Sequence, residues 1–182
     1  MKRTILSAAT LVTSLGVFSS PATADERARA QWAIDVVPLV GVEPKHDDLG
    51  GGTLLLYGAD LRLRLSIVSL GFRWERTNAS VGFGEPVGFT RALPILGFNF
   101  GLGERTEISP YLGLGWANPS GFLAQHTMFN AKFGIDLDYF LARFLSIGGG
   151  LAMDLWGHGG DGIAVSRAMS ATVRLGFHLP FG

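Results

Sequence analysis

Residues 54–65 read LLLYGADLRLRL, and from Ala59 onward apolar and charged side chains alternate without a slip. A period of two belongs to a β-strand: Ala59, Leu61, Leu63 and Leu65 fall on one face, Asp60, Arg62 and Arg64 on the other. In a half-buried soluble sheet the charged face meets water. In a strand that crosses a bilayer as part of a closed barrel, the charged face points inward instead. The rest of the chain decides between these opposite orientations.

The same rhythm recurs along the sequence, punctuated by Gly, Pro, Asn, Asp and Ser. It predicts eight strands, at 32–42, 53–66, 69–78, 88–100, 107–117, 126–138, 144–156 and 165–179. Each is longer than the usual soluble strand of about 5–6 residues and close to the tilted strand that crosses a bilayer. The connections alternate in kind. EPKHDDLGGG (43–52), ASVGFGEPV (79–87), NPSGFLAQ (118–125) and GHGGDGIA (157–164) form a longer set, while Ile67-Val68, GLGERT (101–106) and YFLAR (139–143) form a shorter one. Short turns on one rim and longer loops on the other, with both chain ends on the short-turn side, is the polarity of an outer-membrane barrel.

The N-terminus reads as an export signal. Lys2 and Arg3 precede the apolar run Ile5 to Phe18, and Ala22-Thr23-Ala24 offers small residues for cleavage. The expected division is a signal peptide over 1–24 and one domain over 25–182. Without Lys2 and Arg3, 13 of the 15 basic residues remain against 15 acidic ones, so the exported chain carries a formal charge of about −2. That balance gives no reason to expect a nucleic-acid partner. The absence of cysteine means the domain must hold without disulfides or thiolate metal sites. Mean hydropathy is positive, yet after the signal no apolar run reaches the length of a membrane-spanning helix. A barrel resolves that conflict, because its strands alternate lipid-facing and lumen-facing residues.

Parity within each segment sorts the residues into two faces. One is nearly free of charge: Trp32, Ile34, Val36, Pro38, Val40 and Val42; Leu70, Phe72 and Trp74; Leu112, Leu114 and Trp116; Phe129, Phe133, Ile135 and Leu137; Ile147, Leu151 and Met153; Val173, Leu175, Phe177 and Leu179. Arg76 sits on it only near a strand end, where a long side chain can snorkel. The other face collects Asp35, Asp60, Arg62, Arg64, Arg73, Glu75, Arg91, Lys132, Asp136, Asp138, Asp154 and Arg174, together with His178. Three features place these charges inside. Aromatic residues gather at the ends of the apolar face, with Trp74 and Trp116 toward the long loops and Trp32, Phe98, Phe100, Tyr139, Phe177 and Phe181 toward the short turns, as in membrane-interface girdles. The charged face is also rich in glycine (Gly71, Gly113, Gly115, Gly134, Gly148, Gly150 and Gly176), which suits a narrow lumen holding arginines. Finally, the apolar faces carry more bulk than one small barrel could enclose. The fold class is therefore all-β: an eight-stranded antiparallel up-and-down transmembrane β-barrel.

The stretches ISPYLGLGW (108–116), DYFLARFLSIGGGLAMD (138–154) and VRLGFHLPF (173–181) give the chain a resemblance to the small eight-stranded outer-membrane barrels typified by the OmpA transmembrane domain, OmpX and OmpW. It covers the whole exported segment and concerns architecture rather than activity. Phe177, Leu179 and Phe181 are similar to the terminal signal read by the barrel-assembly machinery, departing from it by Pro180 and a final Gly182. The resemblance implies an outer-membrane location, contact with outer-membrane lipid and lipopolysaccharide, and transient contact with that machinery. A monomer is expected.

For chemistry, His158 with Asp161 and Ser166 is the best constellation for lipid-directed acyl transfer, but GHGGDG reads more simply as a solvated turn. His126 near Ser120 is weaker. His46, Asp47 and Asp48 could ligate a divalent cation, but three adjacent polar loop residues rarely do so. No nucleotide fingerprint or HExxH pattern occurs. No cofactor, metal or catalytic residue is expected, and the charged residues of the lumen are read as a structural network. The function that follows is a non-enzymatic envelope or surface-interaction barrel with a plugged lumen. The alternatives are a narrow channel for small or apolar solutes, a lipid A-modifying barrel enzyme and a soluble lipocalin-like carrier. The apposition of strands two and three across Ile67-Val68 sets Arg62 opposite Arg73 and Asp60 opposite Glu75. Diagonal pairs Arg62–Glu75 and Asp60–Arg73 would relieve that repulsion, leaving Asp136, Asp138 and Asp154 for Arg64, Arg91 and Arg174.

Overall fold

A computed structural model of the chain describes residues 32–44, 53–81, 88–119, 127–158 and 164–181. They form the strands β1 (Trp32–Pro44), β2 (Thr53–Leu65), β3 (Val68–Val81), β4 (Phe89–Phe98), β5 (Phe100–Leu102), β6 (Thr106–Pro119), β7 (Met128–Ala142), β8 (Leu145–His158) and β9 (Ala164–Pro180). β4 and β5 are one stave interrupted at Asn99, so the barrel has eight staves. Each stave pairs antiparallel with its neighbours, β6 pairs with both β4 and β5, and β1 pairs with β9, which closes the sheet. This is an up-and-down barrel without an edge, the arrangement that satisfies every ladder hydrogen bond internally.

The register fixes the barrel's dimensions. Following outward-facing partners once round, from Met169 through Met153, Phe133, Leu112, Leu96, Leu70, Leu63 and Ile34, leads back to β9 at Leu179, ten residues from the start. With eight staves, a stagger of ten tilts the strands about 41° and sets a backbone radius of about 8 Å, so side chains fill the interior. Thirteen residues at that tilt cover roughly 30 Å along the axis, enough to cross the apolar band of about 25 Å.

Burial alternates along the strands, and the charges are inside. Leu61, Leu63, Leu70, Phe72, Phe133, Ile135, Leu151 and Val173 are exposed outward, while Asp60, Arg62, Arg64, Arg73 and Lys132 are buried. The opening stretch LRLRL therefore turns its leucines to the outside. Lumen glycines make room for the long side chains: a Cβ at Gly71 would fall 2.9 Å from Arg62 Cγ, and one at Gly134 would collide with the Tyr111 ring.

The turns differ from the sequence expectation in detail. The β2–β3 turn is Ser66–Ile67, and Val68 already belongs to β3, paired with Leu65. Ser66 takes the left-handed conformation (φ 60°), which lets two residues reverse the chain. The register therefore lies two residues from the expected one: Asp60 faces Arg73, Arg62 faces Gly71, and Glu75 faces Gly58. On the same rim, β7 continues to Ala142 through an irregularity between Phe140 and Ala142, so the expected YFLAR turn shrinks to Arg143–Phe144. On the other rim the strands extend into the expected loops at residues 43–44, 79–81, 118–119, 157–158 and 164, and the rest of those loops lies outside the described residues.

Candidate functional site

The lumen is built of three stacked layers, each drawn from inward positions of several staves. In the middle layer, Arg62 and Arg73 converge from β2 and β3, and Arg174 from β9, on Asp60 and Asp136. Arg73 grips Asp60 with both arms, Nε–Oδ1 at 2.5 Å and Nη2–Oδ2 at 2.7 Å. Arg62 pairs with Asp60 and reaches Asp136 Oδ2 at 2.7 Å. Since β2 and β7 are four staves apart in the ring of eight, the Arg62–Asp136 pair spans the barrel's diameter. Arg174 also pairs with Asp136 and lies 3.5 Å from Asp138. Arg73 donates to the Tyr111 hydroxyl and stacks over that ring, 4.3 Å from its centroid.

Toward the long-loop rim, Lys132 Nζ bridges Glu75 (2.6 Å) and Asp154 (3.0 Å). Arg91 grips Glu43 with two hydrogen bonds of 2.6 and 2.8 Å. Its guanidinium lies 5.1 Å from the centre of the Trp156 ring, and Trp156 stacks on Phe89 at 5.3 Å. Phe89 and Trp156 pack with Ala117, Met128 and Ala168 to form an apolar plug above the charges.

Toward the short-turn rim, Arg64 joins Asp35 (3.0 Å) to Glu107 (2.5 Å). His178 lies between Asp35 and Ser146, with Nδ1 2.8 Å from Asp35 Oδ1 and Nε2 2.8 Å from Ser146 Oγ. Because an ionised carboxylate can only accept, Nδ1–H donates to Asp35, and Nε2 is left to share a hydrogen bond with the Ser146 hydroxyl. The connectivity Ser–His–Asp is that of a nucleophile, base and orienting acid. Access decides against that use: Ser146 is fully buried, and the buried Phe140 ring packs against His178, centroids 4.8 Å apart. A carbonyl substrate has no approach to Ser146 Oγ in this arrangement, and the three side chains act as a clasp between β8, β9 and β1.

All twelve charged residues singled out in the sequence are buried and lie in these layers. Several partners differ from those expected. Arg62 pairs with Asp60 and Asp136 rather than Glu75, Arg64 with Asp35 and Glu107, and Arg91 with Glu43 at closest range, with Glu75 at 3.6 Å and Asp154 at 3.9 Å. The register shift at Ser66–Ile67 is the reason for the first. For the others, the stagger brings together heights that neighbouring strands do not share. Two acids escaped the sequence reading. Glu43, at the start of the stretch expected as a loop, continues the odd, inward parity of β1, and Glu107 begins its strand on the same parity as the buried Ser109 and Tyr111. With them the described lumen holds eight carboxylates and six permanently charged bases. His46, Asp47, Asp48, Ser120, His126 and Asp161 lie outside the described residues, as do the side chains of His158 and Ser166. No group of three metal-ligating side chains occurs among the described residues.

Neisserial surface protein A superposes on 82% of this chain and 97% of its own, with a TM-score of 0.61 at 11% identity. The N-terminal barrel domain of Pseudomonas aeruginosa OprF covers 81% of this chain and 99% of its own, with a TM-score of 0.52 at 16% identity. This is the fold of the small outer-membrane β-barrels. No protein-family model matches the sequence, and no curated protein does. The likeness to small outer-membrane barrels is thus one of backbone architecture, carried by residues that differ at most positions.

Proposed function

We propose that this chain is an integral outer-membrane barrel, exported by the signal peptide at residues 1–24, whose lumen is a structural plug. It acts in the envelope through its loops and outer wall, without catalysis or bulk transport. The observation that carries this reading is the set of ion pairs crossing the lumen at three heights, one of them spanning its diameter, beneath an apolar cap. Opening a pore would separate several buried pairs at once, each costly to leave unpaired. The belt of outward leucines, valines and aromatics supports membrane insertion, since such a surface matches hydrocarbon and would aggregate in water.

Fractionation of the expressing cell combined with a heat-modifiability gel tests the reading. The expected result is a chain beginning at Asp25 in the outer-membrane fraction, with a folded band that shifts on boiling. Purified protein in a planar bilayer should give no steady porin-sized conductance. Recovery from the periplasm without detergent, or stable large channels, would refute it.

A further inference from the structure

Two polar atoms near the apolar plug have no hydrogen-bond partner among the described residues: Nε1 of the Trp156 indole and Oδ1 of the Asn130 amide. Both side chains are deeply buried, at 4% and 0% exposure. The indole N–H can only donate, and the amide oxygen can only accept. The amide's orientation is fixed, because Asn130 Nδ2 lies 3.2 Å from Asp154 Oδ1 and 3.3 Å from the Leu155 carbonyl oxygen, and both of those atoms call for a donor.

The two residues are direct cross-strand partners, Asn130 on β7 opposite Trp156 on β8, with both side chains in the lumen. Side chains so placed start from Cβ atoms about 4.5–5.5 Å apart and can meet. An unused donor thus stands beside an unused acceptor, and each is costly to bury alone. The place of the indole keeps them apart. It stacks on Phe89 with ring planes 11° from parallel, and the Arg91 guanidinium lies 5.1 Å from its centre. Stacking and the cation favour that place, the missing hydrogen bond favours another, and the contributions are of similar size. The rest of the plug is Ala117, Met128 and Ala168, two small side chains and a flexible one, which yield to a turning ring.

We propose that Trp156 is a two-position cap on the long-loop end of the lumen. In one position it lies on Phe89, covers Arg91 and seals the plug. In the other its Nε1–H donates to Asn130 Oδ1, the indole leaves Phe89, and a vestibule opens above the Arg91–Glu43 pair. The ion pairs below hold in both positions, so the cap uncovers a recess and not a pore. The inference rests on the plugged-lumen reading above and names the part of the plug that moves.

Ala168→Cys puts the sole thiol of a chain that has no cysteine into the plug. In the refolded barrel in detergent micelles, its alkylation by a water-soluble maleimide reads the open population. Asn130→Leu and Trp156→Phe each remove one half of the new hydrogen bond while keeping much of the packing. Each should slow alkylation about fivefold, the population that one neutral hydrogen bond supports, and the two together should slow it no further. Phe89→Leu, which removes the stack, should speed it. Should Asn130→Leu fail to fold, Trp156→Phe carries the comparison alone. In a second measurement, Trp32, Trp74 and Trp116 are changed to Phe and 5-fluorotryptophan is placed at 156. Two fluorine resonances are expected, one of which Asn130→Leu removes and Phe89→Leu strengthens. Faster alkylation in Asn130→Leu and Trp156→Phe, which a merely structural role predicts, would overturn the cap. So would equal rates throughout, a thiol that never reacts, or a single resonance that neither variant changes. If those results came from a barrel with no steady conductance in a planar bilayer, the plug reading would stand without the cap. Steady porin-sized channels would overturn the plug itself.

Discussion

Replacing Arg91 by Met should destabilise the barrel by about 3–5 kcal/mol, because it removes the cation from a buried carboxylate while keeping much of the side chain's volume. The structure supplies the reasoning. Glu43 is 1% exposed, and Arg91 holds both of its carboxylate oxygens. With Arg91 gone, Glu43 stays beneath the Phe89–Trp156 plug without its guanidinium, and the plug loses the charge under its rings. Glu43→Gln alone leaves Arg91 the more distant Glu75 and Asp154 and should cost less. The Arg91→Met, Glu43→Gln double variant should recover about 1.5–3 kcal/mol relative to the sum of the singles, the worth of hydrogen bonds between charged groups. Urea unfolding of the barrel in lipid vesicles, read by gel mobility, measures this. At about 2 kcal/mol per molar, the Arg91 variant's midpoint should fall by about 1.5–2.5 M. A loss under about 0.5 kcal/mol, the size of an ordinary surface change, would mean that Glu43 is solvated and the loop-side lumen is open to water.

Single cysteines at Leu63, Phe133 and Leu175 should react with lipid-phase probes while those at Arg64, Lys132 and Arg174 do not, and the reverse pattern would mean the faces are inverted. Ser66→Gly should raise stability by several tenths of a kcal/mol, seen as a higher urea midpoint, since the φ of 60° there favours glycine; a lower midpoint would show that the turn does not need that conformation. Gly134→Ala should cost about 1–3 kcal/mol by displacing Tyr111 from its place over the glycine, measurable in the same urea titration, and no loss would show that the ring moves freely. A fluorophosphonate probe should leave Ser146 unlabelled in the folded barrel, whereas labelling abolished by Ser146→Ala would show that the clasp opens to substrate.

Much of the fold was legible in the sequence because a strand's period of two depends on residue type alone. Leu61, Leu63, Arg62 and Arg64 announce their faces wherever the strand is placed. Height is another matter. Whether Arg62 meets Glu75 or Asp136 depends on where a turn closes and on the stagger of the whole sheet, and Ser66 adopting a positive φ moved the β2–β3 pairing by two residues. Glu43 was missed for a related reason: a loop beginning with polar residues looks the same whether or not its first residue still obeys the strand's parity. The Ser146–His178–Asp35 clasp could not be read at all, since its members come from the first strand and the last two.

Asp35 and His178 are 143 residues apart in the chain and sit directly across the seam where β1 meets β9. Until the final strand arrives, Asp35 has Arg64 on one side and nothing on the other, so this contact forms at the end of assembly. An interaction absent from the rate-limiting step leaves the speed of folding alone and sets how long the closed state lasts. His178→Ala should therefore insert at the normal rate yet unzip sooner in a kinetic unfolding experiment. The seam then works as a latch, holding shut a ring that the other staves have already drawn together.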